Sequence, residues 1–247
     1  MTGWMIFRHA VGMVLRNWRQ AIQISGLLYA VLAIFEISLG GAAKGHIGPD
    51  GMMMSPAIGL SMIAVTAGYV ILSIWIAVAW HRYVLLEEMP EGWFPKWHGG
   101  AVASYLGISI LITLVIALVS MVIGWILMFA LGGAMPLLTI FIILLAVGAG
   151  IAFFRLSPML PAAAIGEKMK MSEAWHQTRG LSGAILLIVL LQFGLMVGLQ
   201  IASNILMTIS PVIGFVGQIV VNWFATIVTA SLLTTFYGHF VQERPLV

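Results

Sequence analysis

Only 8% of the 247 residues are charged, so polar side chains inside apolar runs are the first candidates for chemistry. Glu36 is the one acid inside such a run. A charge at membrane depth costs about 2.5–3.5 kcal/mol on insertion scales. Glu36 is therefore either an ion or proton site or an acid near the outer end of its helix, within reach of water or Lys44. Gln192, Gln200 and Asn204 fall near one face of a later run, at steps of eight and four. Gln218, Asn222, Thr226 and Thr229 do the same in the run that follows. Such faces either line a polar path or join two helices through hydrogen bonds of roughly 0.6–2 kcal/mol each. Gly194 and Gly198 form a GxxxG offset from the polar stripe, a spacing that permits close helix approach.

Glu173 and His176 stand at i and i+3 and share a helix face. A di-iron bundle site needs two such pairs and further inward carboxylates, so the single pair reads as an acid neutralising a neighbouring base. Glu87, Glu88 and Glu91 beside His81 read in the same way, as a charged turn. The absence of cysteine removes disulfides, thiolate metal sites and cysteine nucleophiles. The sequence has no GxxxxGK[ST], no GxGxxG after a strand, no HExxH and no GxSxG. No catalytic residue, metal ligand or cofactor is assigned. The net charge of +3 is too small to point to nucleic acid.

These side chains must be positioned by elements that live in lipid. Hydrophobic residues make up 62% of the chain, against roughly 45–50% in a soluble domain, and a fold this size cannot clothe itself in water with so few charges. Six apolar segments reach the roughly 20 residues that a helical crossing needs: 20–41, 57–80, 105–131, 137–156, 183–207 and 216–238. Their continuous apolarity fits helices and not alternating barrel strands. Arg8, Arg16, Arg19, Arg82, Lys96, Arg155, Lys168, Lys170, Arg179 and Arg244 all fall on one side of a six-span arrangement, and only Lys44 falls on the other. That bias predicts cytoplasmic termini. The first segment is read as a span and not a cleaved signal, because its basic region runs for about twenty residues.

Trp4, Phe7, Val11, Val14, Leu15 and Trp18 recur at helical spacing, which predicts an amphipathic helix in the cytoplasmic interface. Similar stretches, WFPKWHGGAV at 93–102 and SEAWHQTRGL at 172–181, precede the third and fifth spans. The expected fold is all-α: a single domain, 1–247, of six transmembrane helices in three hairpins with short interfacial helices. Three parallel repeat units, 1–86, 87–165 and 166–247, fit this pattern. Aromatic and basic residues gathering at any hairpin end would also produce it.

The stretch 154–180, FRLSPMLPAAAIGEKMKMSEAWHQTRG, is the most distinctive. Arg155, Pro158, Pro161, Ala162 to Ala164, Ser172, Glu173, Ala174, Trp175, Thr178, Arg179 and Gly180 resemble a pattern in bacterial multi-pass proteins. That group is the membrane domain associated with glycerophosphoryl diester phosphodiesterases, together with its stand-alone relatives. The resemblance implies a six-helix module of the bacterial inner membrane. No part of the 247 residues corresponds to the soluble phosphodiesterase domain, so none of its activity or metal residues carries over. Physically, the prolines end a span, the segment lies along the cytoplasmic surface, and Arg155 holds phosphate or helix-end carbonyls at headgroup level. The expected partners are membrane lipids, anionic ones above all, and a membrane protein. The expected function is a non-enzymatic scaffold or lipid-organising module. A small-solute or lipid transporter using Glu36, Asn204 and Asn222 is the alternative, and a lipid enzyme using Arg155 with His176 or Glu173 the weaker one.

Overall fold

The computed structural model describes residues 3–44, 56–131 and 135–246, with the side chains of 36–44, 56–58, 61, 62 and 135 excepted. The chain forms α1 (Gly3–Arg16), α2 (Trp18–Lys44), α3 (Pro56–Leu86), α4 (Gly99–Ala130), α5 (Met135–Leu156), α6 (Met159–Ile165), α7 (Met171–Gln177), α8 (Ser182–Ile209) and α9 (Pro211–Phe240). Six of these, α2, α3, α4, α5, α8 and α9, are long and apolar enough to cross a membrane, and no strand occurs among the described residues. The protein is an all-α polytopic membrane protein.

The helices outrun the apolar segments that predict them. The 32 residues of α4 span about 48 Å at 1.5 Å per residue, more than the roughly 30 Å of a hydrocarbon core. The helix α3 runs on to Leu86, short of Pro90, and α4 starts at Gly99, just past Pro95. A single extended residue, Ser210, joins α8 to α9, and Pro211 opens α9 at a position where its missing N–H is not needed. The two helices meet so tightly that a Cβ at Gly214 would lie 2.7 Å from Met207 N.

The helix α9 is the hub. Its second half, from Ile227 to Gly238, is almost wholly buried, and it packs against α1, α2, α3, α6 and α8. Buried polar groups find partners on it, because lipid supplies none. Trp80 Nε1 donates to Ser231 at 3.0 Å, Trp223 Nε1 to Ser25 at 2.6 Å, and Tyr29 meets Thr226 at 2.5 Å. Thr234 gives its hydroxyl proton to Ala230 O, so at 2.7 Å it accepts from His81 Nδ1. The other ring nitrogen of His81 faces the Tyr105 hydroxyl at 3.4 Å. The imidazole ties α3, α4 and α9 together.

Three expectations change. The helix α1 buries Gly3, Ile6, Phe7, Ala10 and Val14 against α8 and α9, while Trp4, Leu15 and Trp18 stay about half exposed. It packs on protein through a face rotated from the predicted stripe. The segment 93–98 is not helical, because Pro90, Gly92 and Pro95 interrupt it. The stretch after Arg155 does not simply run along a surface. Residues 159–164 are all buried as α6, a short helix wedged among α3, α4 and α9. Pro158 and Pro161 fall at its start, where free N–H groups are not needed. Its three alanines allow close approach, and Gly166 closes it at φ 86° with its N–H on Ala163 O.

Overpacking a tight core costs about 1–3 kcal/mol, and Ala164 is fully buried. Ala164→Leu is therefore expected to lower the melting temperature in mild detergent, while Ala→Leu at the exposed Ala103 leaves it near that of the wild type.

Candidate functional site

One end of the bundle collects the basic residues, and there helix C-termini are capped by side chains from other elements. Arg82 donates to Ala164 O at the end of α6, at 3.2 Å. Arg244 donates to Val84 O and Leu85 O at the end of α3, at 3.3 and 2.9 Å. Each bond satisfies a carbonyl the helix leaves open and places positive charge at its negative pole. Tyr237 of α9 donates to Glu167, and Leu246 lies beside Met5, Arg8 and Gly12 of α1, which brings the two terminal segments together.

Glu88, just beyond α3, is held by two partners. Arg82 Nε is 2.8 Å from one carboxylate oxygen, and His98 Nε2, at the start of α4, is 2.6 Å from the other. Burial works to raise the Glu88 pKa, but the hydrogen bonds and charges of His98 and Arg82 outweigh it and hold the carboxyl below its usual range. Among the described residues no three His, Asp or Glu side chains converge as metal ligands. Of the glutamates in this turn, Glu88 bridges two elements and Glu87 closes α3 at a left-handed φ of 56°.

The predicted polar faces of α8 and α9 meet each other. Gln192 donates to Thr229 at 2.9 Å, Gln200 to Gln218 at 3.2 Å and to Asn204 at 3.3 Å, and Gln218 to Asn222 at 2.9 Å. Ser203, which the sequence pattern did not single out, completes the cluster by donating to Gln218 at 2.8 Å. Gly194 and Gly198 have open space where a side chain would be, so the GxxxG joins no helices among the described residues. The backbone of Glu36 lies on α2, but its side chain is outside the described residues.

Arg155 and Arg179 stand near each other with different surroundings. The Arg155 guanidinium lies over Trp175, 4.7 Å from the ring centroid, and donates to Ser182 at 2.6 Å. Its expected hold on helix-end carbonyls is not seen. Glu173 turns back to accept from Lys170 N at 3.1 Å, capping α7, and does not neutralise His176.

Beside them, α4, α5 and α7 enclose a groove of about 920 Å³. One face of α4 (Val115, Ile116, Val119, Ile123) and one of α5 (Leu145, Gly148, Ala149, Ala152) form its apolar walls. Ser172, Trp175, His176 and Arg179, all exposed, form its mouth. Gly148 has no heavy atom within 4 Å of where a Cβ would stand. The sequence does carry small residues at helical steps on α5, Gly148 and Ala152, but nothing there marks the opposing face of α4. No family model, curated protein or solved structure matches the chain.

A carboxylate with a depressed pKa contributes stability that is complete above the unfolded value and lost as pH falls through the native one. Wild-type protein should therefore lose stability as the pH drops from the ordinary value of 4.5 through the lower native value of Glu88. Glu88→Gln should lose part of that dependence in melting temperatures read across pH 3 to 7, and an unchanged profile would rule out the bridge as its cause.

Proposed function

We propose that the protein is a non-enzymatic module of the bacterial inner membrane that binds and organises lipid, with the basic end facing the cytoplasm. The groove between α4 and α5 carries this reading. Its walls suit an acyl chain, its mouth at the basic end suits a polar head, and its volume of about 920 Å³ is within the roughly 300–1,000 Å³ of small-molecule sites. Large apolar side chains such as Trp125, Phe129 and Ile143 are exposed on the outer surfaces of this hairpin, which supports its immersion in lipid.

Other observations favour binding over transport. Gln192, Gln200, Asn204 and Asn222 are bonded within the α8–α9 seam, as helix-joining side chains would be. The basic residues spread over four inter-span and terminal segments on one side support the orientation. The resemblance of residues 155–180 to the membrane-domain group associated with glycerophosphoryl diester phosphodiesterases belongs to the same proposal. In its light, Arg155 secures Trp175 at the groove mouth.

Gly148→Phe tests the reading, since open space at Gly148 lets the ring fill the groove without a backbone shift. Wild-type protein extracted in mild detergent is expected to carry lipid in native mass spectra. The variant should melt like the wild type and lose most of that lipid. Lipid-free wild type, or equal occupancy in both, would refute the proposal.

A further inference from the structure

The groove mouth carries more information than its walls, because its charges are unbalanced. Its lining includes Arg179 and His176 and no carboxylate. The nearest acid in sequence, Glu173, is committed to the Lys170 N–H. Elsewhere at the basic end, cations are already engaged: Arg82 with Glu88, and Arg244 with the carbonyls of α3. Arg155 is engaged too, between Trp175 and Ser182. Among the described residues, the Arg179 guanidinium and the His176 imidazole have no such side-chain partner.

A guanidinium offers a planar fork of N–H donors that matches two phosphate oxygens, and its charge persists at any physiological pH. His176 and Ser172, three and seven residues before Arg179, supply a ring N–H and a hydroxyl at the same mouth. A zwitterionic headgroup would bring an ammonium for which the lining holds no acid. An anionic headgroup leaves no such charge unmatched.

Resting on the lipid-binding reading above, we infer that the α4–α5–α7 groove selects a phospholipid of net negative headgroup charge, whose phosphate is held by Arg179 with His176 and Ser172. Its acyl chain lies along Gly148, Ala149 and Ala152. Arg155 is a positioning residue: it fixes the Trp175 wall and leaves the phosphate to Arg179.

The test is competition for the full chain in mild detergent, read by native mass spectrometry. Equimolar dioleoyl phosphatidylglycerol and dioleoyl phosphatidylcholine have the same acyl chains and differ in headgroup charge. The expected result is about a tenfold preference for phosphatidylglycerol, because both lipids bring the same phosphate to the mouth and only phosphatidylcholine adds a second cation beside Arg179. Arg179→Gln should bring the two lipids close to parity with total lipid occupancy retained, and Arg179→Lys should keep part of the preference. Equal binding of both lipids by the wild type, or an undiminished preference in Arg179→Gln, overturns the headgroup assignment and leaves the lipid-binding reading standing. Displacement of phosphatidylglycerol by equimolar oleic acid also overturns it, by showing that any carboxylate serves. A wild type that takes up neither phospholipid overturns both.

Discussion

Hydrocarbon offers a buried donor or acceptor no partner, and the architecture follows from where the chain finds partners instead. Nearly every polar group deep in the bundle meets another on α9. Serine and tyrosine of α2, tryptophan and histidine of α3 and the glutamines of α8 all bond to its residues. A helix so engaged cannot face lipid over its buried half, and its neighbours are arranged around it. The second hairpin, α4 and α5, contributes little to this network. It is mostly exposed, so a groove between its helices leaves no polar group stranded.

At the basic end the same accounting applies to helix termini. Each C-terminus leaves carbonyls open, and arginines from other parts of the chain meet them at α3 and α6. The basic residues thus serve two purposes. They bias orientation in the membrane, and several also lock hairpins together. Arg179, which has no side-chain partner of this kind among the described residues, borders the groove.

Legibility in the sequence followed the range of the signal. The six crossings and the polar faces that carry Gln192, Gln200, Asn204 and Asn222 could be read, because apolarity and helical spacing are local. The burial of residues 159–164 could not. Two prolines and three alanines describe an exit loop equally well, and only α3, α4 and α9 closing around them decides otherwise. In α1, Trp4 and Leu15 belong to the stripe expected to meet the membrane interface, but the helix packs on α8 and α9 through a face that includes the smaller Gly3 and Ala10. The groove was hidden for a different reason. Both helices of the second hairpin are apolar on all sides, so no pattern separates the face that meets lipid from the face that lines the cavity. The Arg82–Glu88–His98 bridge spans a loop whose fold no spacing rule gives. For Glu36, the sequence reading stands alone.

The wedge formed by α6 also constrains how the protein is made. A ribosome delivers the chain from the N-terminus, so α6 emerges when α3 and α4 are in place and α9 has not yet been synthesised. Until then one side of α6 and the partner of Glu167 are missing, and His81 has no Thr234 to receive its proton. The first two hairpins therefore wait, incompletely packed, for the third. A nascent chain stalled after Gly180 holds both helices of its second hairpin but lacks the helix that makes the bundle a single body.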